Sequence, residues 1–188
     1  VIAIVDFGAG NTRSVLRALL AEGAEARVVD SPSGLADAER LVLPGVGAAG
    51  SAMATLRARA MIEPIRDWVA DGRPFLGICL GAQLMLDASE EDSTPGLGLV
   101  RGACRRFPPP AAGGPERVPH IGWNRVELTG GAGFEAYFVH GYWLDPADPA
   151  AVVGWTDVDG FSFPSLIRSG RMLGTQFHPE KSGPTGRA

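Results

Sequence analysis

Residues 75–86 read Phe-Leu-Gly-Ile-Cys-Leu-Gly-Ala-Gln-Leu-Met-Leu, and no other stretch constrains the fold as tightly. The first four residues follow Pro74 as a short apolar run, which predicts a buried strand over 75–78. With no intervening loop, residues 80–86 take up a helical pattern. A strand that turns into a helix at one residue needs small neighbours, and Gly77 and Gly81 flank Cys79 on either side. This is the nucleophile-elbow pattern with sulfur in place of the serine oxygen. It sets the thiol at a helix N-terminus, where the macrodipole favours thiolate, and aims the Leu80 amide at a forming oxyanion. Taken alone, Gly-x-Cys-x-Gly also suits a structural cysteine between packing glycines.

The remaining chain predicts the sheet that such an elbow requires. Strands are expected at 1–5, 25–29 and 40–43, with a helix over 11–21 for which Asn11 is a candidate N-cap. Residues 53–69 carry one or two helices, with Pro64 near a start. Repeated β-α-β order argues for a mostly parallel sheet covered on both faces. Beyond it, short apolar runs at 126–128, 136–139, 152–155, 165–167 and 172–177 read as antiparallel additions to the same sheet. The Pro/Gly-rich stretch 107–119 is a loop within a single domain spanning 1–188. The expected fold is α/β, a three-layer sandwich with a central mixed, mostly parallel sheet.

Composition excludes several function classes. The net charge is −4 over 188 residues, which gives no electrostatic footprint for nucleic acid. No apolar run is long enough to span a membrane, and the N-terminal Val-Ile-Ala-Ile-Val reads as a strand, not a signal peptide. Two cysteines, Cys79 and Cys104, make no disulfide framework, so a reducing cytoplasm is the expected compartment. No metal or cofactor is expected.

A thiol nucleophile needs a base, and the base needs an orienting group. His178-Pro179-Glu180 supplies both at a strand end, with the proline fixing the turn between them. His120 and His140 have no carboxylate nearby in sequence and read as structural residues at loops or strand ends that line the cleft. Cys104 reads as a packing or surface residue. Pro44-Gly45-Val46-Gly47 follows a predicted strand, and ligands of open parallel sheets bind beyond strand carboxyl ends. Gly45 and Gly47 leave the Val46 amide free to reorient, which makes it a second oxyanion donor. Gln83 and Glu91 are positioned to hold a zwitterion, the amide for a carboxylate and the carboxylate for an ammonium, or else lie on the solvated surface.

Seven segments, in order along the chain, then point to a family: 6–15 (DFGAGNTRSV), 43–50 (LPGVGAAG), 77–85 (GICLGAQLM), 89–99 (SEEDSTPGLGL), 118–124 (VPHIGWN), 137–142 (YFVHGY) and 176–183 (QFHPEKSG). The chain resembles the class I (triad) glutamine amidotransferases, and most of all the glutaminase subunits of imidazole glycerol phosphate synthase. The resemblance implies that Cys79 attacks the glutamine amide to form a thioester, with His178 moving the proton and Glu180 orienting His178. It implies backbone oxyanion donors around Val46 and Leu80, and a glutamine site that includes Gly45, Gly47, Gln83 and Glu91. It implies a heterodimer with a separate (β/α)₈ cyclase subunit that takes up the ammonia, with Asn11, Trp123 and Lys181 near the interface. It also implies a helix after residue 183. The glycines around Val46 add the expectation that the isolated subunit hydrolyses glutamine weakly, its loop amide turned away. Other readings remain: an amidotransferase for another synthase, a catalytically silent subunit, or a different cysteine hydrolase on a similar fold.

Overall fold

The computed structural model describes residues 1–8 and 11–187; Ala9 and Gly10, inside the 6–15 motif, and Ala188 lie outside the described residues. A nine-stranded sheet runs through the molecule in the order β2-β1-β3-β4-β13-β12-β11-β8-β9. Its first half is parallel: β2 (Ala26–Val29), β1 (Ile2–Val5), β3 (Arg40–Leu43), β4 (Phe75–Ile78) and β13 (Met172–Thr175). Its second half is antiparallel: β12 (Phe161–Ser169), β11 (Val152–Val158), β8 (His120–Leu128) and β9 (Gly133–His140).

The period-2 alternation of the parallel strands explains the layers. Ala3, Val5, Leu41 and Leu43 face one way and pack with Met53 and Leu56 of α2 (Ala49–Ala58) and Ile65 and Trp68 of α3 (Ile62–Ala70). Ile4, Val42 and Ile78 face the other way and meet Val15 of α1 (Thr12–Ala21). A third cluster, with Phe138, Phe163 and Phe177 at its centre, fills the antiparallel half. The helix implied after residue 183 is α5 (Gly183–Arg187). Among the described residues, no helix is long and apolar enough to cross a membrane.

Two sequence expectations need correction. The five apolar runs of the second half all join the main sheet, but the last of them, β13, pairs parallel with β4 instead of only antiparallel, and a further set of strands escaped the sequence reading. β10 (Tyr142–Pro146), β7 (Gly102–Arg106), β5 (Ala88–Ser89) and β6 (Thr94–Pro95) form a separate four-stranded sheet. Each of its strands is short, and only tertiary packing makes Leu144 and Cys104 core residues. The elbow helix is also shorter than 80–86: α4 spans Leu80–Gln83. It stops because chain segment 97–100 takes its carbonyls, with Leu97 N–H donating to Leu84 O at 2.7 Å and Leu99 N–H to Met85 O at 2.8 Å.

The elbow is tight in the way its glycines require. Cys79 sits at φ 50°, a left-handed conformation that costs a non-glycine residue about 1–2 kcal/mol. Its N–H is fixed to Thr175 O at 2.7 Å. A Cβ on Gly81 would stand 1.7 Å from the Leu43 carbonyl oxygen, a backbone atom held in β3. Gly81→Ala is therefore expected to cost about 3 kcal/mol or more in urea denaturation. Gly141→Ala, whose Cβ would meet only Val118 at 3.7 Å, should change stability by less than about 0.5 kcal/mol. Equal effects of the two substitutions would contradict this account of the elbow.

Candidate active site

β13 runs parallel to β4 with Thr175 beside Ile78, so the chain that leaves β13 passes directly by the elbow. This register brings residues 176–180 to Cys79, about a hundred positions earlier in sequence. β9 then pins the passing segment: His178 N–H donates to Tyr137 O at 2.9 Å, and Tyr137 N–H donates to Ser182 Oγ at 2.9 Å. Ser182 closes the clamp by donating to His178 O at 2.6 Å.

His178 and Glu180 are buried together, with side-chain exposures of 0% and 1%. His178 Nδ1 lies 2.7 Å from Glu180 Oε1, so Nδ1–H donates to the carboxylate. Asn11 Nδ2 donates to the same oxygen at 2.6 Å. Asn11 stands at the start of α1, yet its side chain makes no capping bond there. It is spent on the carboxylate instead, which corrects the expected N-cap role.

Burial opposes a charge on His178, but its contacts with Cys79 and Glu180 outweigh burial and raise its pKa to about 9. Burial likewise acts to raise Glu180, but the His178 hydrogen bond and charge hold it below the ordinary carboxylate range. His178 Nε2 and Glu180 Oε2 are buried without a hydrogen-bond partner among the described residues. With no other partner and the thiol as its neighbour, Nε2 is placed to exchange a proton with the sulfur. The Cys79 sulfur itself has weak polar neighbours, Val139 O at 3.9 Å and Gln176 Nε2 at 3.7 Å.

In front of the sulfur lies a cavity of about 260 Å³, lined among others by Val46, Gly47, Gln83, Glu91, His140 and Tyr142. Glu91 Oε2 accepts Ala49 N–H at 2.7 Å, so one carboxylate oxygen secures the first turn of α2 and the other stays available. Gln83 Nε2 donates to Tyr142 O at 3.2 Å and to Gln176 Oε1 at 3.3 Å. Both amide hydrogens are thus committed internally, and only Gln83 Oε1, an acceptor, is left for a ligand. The expected carboxylate-binding role of its amide is corrected accordingly: this side chain can receive a donor but not hold a carboxylate.

Neither of the two expected oxyanion donors points freely into the cavity. Leu80 N–H, the expected first donor, faces Gly45 O at 3.4 Å. In a planar trans peptide the carbonyl and the following N–H point in opposite directions, so the Val46 amide is turned away from the sulfur. Gly47, at φ 107°, sits in a region that only glycine visits readily. Gly45 has no room for a side chain, since a Cβ there would stand 2.7 Å from the Phe7 ring.

Outside the cavity, Trp123 and Ile121 project from the outer face of β8, 58% and 60% exposed. Lys181 is exposed beside them, its Nζ 5.7 Å above the Tyr137 ring. His120 opens β8 and His140 closes β9, paired across the ladder at the strand ends. Cys104 is fully buried, and burial pushes its thiol up to about 12, so it stays protonated as a packing residue. Among the described residues no group of three or more His, Cys, Asp or Glu side chains is arranged to hold a metal ion. Sequence reasoning missed the contributions of Ser182, Gln176 and the Tyr142 carbonyl. The first two adjoin His178 in sequence, but nothing in the sequence marks Tyr142.

The class-I glutamine amidotransferase family profile matches residues 3–188. The imidazole glycerol phosphate synthase subunit HisH of Rhodopirellula baltica is 44% identical, over 96% of this chain and 90% of that protein. The HisH subunit of Symbiobacterium thermophilum is 46% identical, over 98% of this chain and 89% of its own length. Among solved structures, a glutamine amidotransferase superposes with a TM-score of 0.78 at 22% identity, covering 96% of this chain and 90% of that one. PurLQS from Thermotoga maritima gives 0.72 at 22% identity, over 95% and 87%. Both structures share the fold, and the sequence relatives carry the assignment further: this chain belongs to the class-I glutamine amidotransferases, among the HisH subunits of imidazole glycerol phosphate synthase.

Proposed function

We propose that Cys79, His178 and Glu180 are the catalytic triad with which this chain hydrolyses glutamine. The observation that carries the reading is the buried His178–Glu180 pair, charge-matched and locked at 2.7 Å, with its second nitrogen left for a thiol at a strained elbow. His178 Nε2 takes the Cys79 proton ahead of attack, a transfer that its raised pKa favours, and the sulfur of the resulting pair attacks the side-chain carbonyl carbon of glutamine. His178 returns the proton to the departing nitrogen, which leaves as ammonia and a glutamyl thioester. Water, deprotonated by the same imidazole, then releases glutamate. Glu180, itself held by Asn11, keeps the proton on Nδ1 in place throughout, so that only Nε2 gains and loses one. The available oxygen of Glu91 pairs with the substrate ammonium, and Gln83 Oε1 accepts from a substrate N–H.

As a HisH-type subunit the chain supplies this ammonia to a cyclase that makes imidazole glycerol phosphate and aminoimidazole carboxamide ribotide in histidine biosynthesis. We place the cyclase against the exposed face of β8, where Ile121 and Trp123 form an apolar surface beside Lys181. Two unpaired cysteines suit the reducing cytoplasm. The Gly45 carbonyl facing Leu80 N–H is the resting state of the loop. Docking of the substrate-loaded cyclase turns the Gly45–Val46 peptide over, so that the Val46 and Leu80 amides both face the oxyanion. Each donor gained in this way is worth about 10²–10³ in rate.

Two measurements test these roles. Glutamate release should be slow for the subunit alone and rise about a hundredfold or more when the cyclase and its ribonucleotide substrate are added. It should vanish in Cys79→Ala. Release that ignores the cyclase would leave the triad intact but move the chain to another synthase, and no release under any condition would favour a silent subunit. The second test is pH dependence of stability, read by urea denaturation of wild type and Glu180→Gln. Glutamine keeps the acceptor for Asn11 and removes only the charge. The folded pKa of His178 lies above its ordinary value of 6.5, so its contribution is complete below about pH 6.5 and lost as pH rises through about 9. The stability advantage of wild type should therefore be largest near pH 6 and shrink by pH 9; a constant difference across that window contradicts a charged His178–Glu180 pair.

A further inference from the structure

One atom, the Tyr142 carbonyl oxygen, sets the direction of every hydrogen bond in a chain that runs from β8 to the nucleophile. A carbonyl only accepts. His140 Nδ1 lies 2.7 Å from it, so Nδ1 carries the proton and His140 Nε2 is an acceptor. His120 Nδ1 lies 3.0 Å from that acceptor and must be protonated in turn. His120 Nε2 then accepts from Asn124 Nδ2 at 3.2 Å. Both imidazoles are neutral, because burial depresses both, His140 to about 3. On the other side of the carbonyl, Gln83 Nε2 donates to Tyr142 O at 3.2 Å and to Gln176 Oε1 at 3.3 Å. That fixes the Gln176 amide as well, with its Nε2 directed at Cys79 Sγ, 3.7 Å away. Flipping any member would set two donors or two acceptors face to face in a buried site, at the cost of an unsatisfied polar group.

We propose that Gln176 is a catalytic residue of this reaction, its side-chain N–H holding the Cys79 sulfur as the thiol proton leaves for His178. The S–H bond breaks, the proton goes to His178 Nε2, and the electron pair stays on sulfur as a thiolate that accepts from Gln176. The Gln176 side chain is fully buried, so water does not compete for this bond, and a hydrogen bond to an anion is about twice as strong as a neutral one. Gln83, His140 and His120 are positioning residues that act through the Tyr142 carbonyl. Their packing suits that role: the His140 ring is wedged among Phe107, Phe138 and Phe163, with centroids 5.2–5.6 Å apart.

The inference rests on Cys79 being the nucleophile, so Cys79→Ala is assayed alongside. Gln176→Glu preserves shape but sets a carboxylate oxygen against the sulfur, and Gln176→Met removes the donor without adding charge. Two readouts are taken: glutamate release by the subunit bound to its cyclase, and the pH dependence of Cys79 alkylation by iodoacetamide. Gln176→Glu is expected to lower kcat about tenfold or more with KM moving less than about threefold. The pH of half-maximal alkylation should rise. Gln176→Met, which serves if the glutamate variant does not fold, should shift both readouts the same way by a smaller factor. His140→Phe keeps the aromatic packing but loses the donor to Tyr142, and its alkylation profile should also move up. In wild type, ¹⁵N imidazole spectra should show His140 and His120 protonated at Nδ1. Folded Gln176 variants with unchanged kcat and alkylation profile overturn the proposal, as does an Nε2–H tautomer at His140. Glutamate release that survives in Cys79→Ala sinks the nucleophile reading instead.

Discussion

The structure depends on how closely the elbow backbone is packed against the strand beside it. Gly81 lies so near the Leu43 carbonyl that no side chain fits between α4 and β3, and Cys79 is left in a left-handed conformation. The strain is sustained by the parallel ladder on either side, because β3 and β13 both pair with β4 and neither can retreat. Register does the rest. With Thr175 beside Ile78, the residues that follow β13 can only pass the sulfur, and a histidine three positions on arrives there.

Rigidity and freedom are divided between two sides of the cavity. On the side of His178 the hydrogen bonds fix the imidazole and leave its Nε2 free: Asn11 donates to Glu180, Glu180 accepts from His178, and Ser182 holds the His178 backbone. On the loop side a single 3.4 Å contact between Leu80 N–H and Gly45 O holds the peptide that the proposed activation turns over. A contact this long is weak, so a partner needs little differential binding energy to break it. Glu91 marks the boundary, since it secures the start of α2 immediately after the loop and leaves an oxygen for substrate.

The parallel half of the fold was legible because its strands are short, apolar and separated by helical spacing. Predicted and observed bounds agree within a residue for β1, β2, β3 and β4. The smaller sheet was not legible: Gly102–Arg106 and Tyr142–Pro146 mix charged and apolar residues in short runs, and pairing with each other makes them strands. The elbow helix was read too long for a related reason, because the segment that takes the carbonyls of Leu84 and Met85 begins at Leu97, beyond the reach of any local pattern.

The sequence by itself determined the chemistry available. A thiol between glycines at a strand end, and a histidine and carboxylate joined by a proline, are local patterns whose meaning follows from backbone sterics over a few residues. Tertiary structure alone decided how those groups are used. Asn11 reads as a helix cap and serves as a second donor to Glu180, 169 positions away. Gln83 reads as a ligand for carboxylate, yet its amide hydrogens are taken by Tyr142 and Gln176. Val46 reads as an oxyanion donor and is turned away by the preceding carbonyl. The reason is common to all three: a polar group in a buried site is oriented by whichever partners the fold brings within hydrogen-bonding distance, and those partners lie far away in sequence.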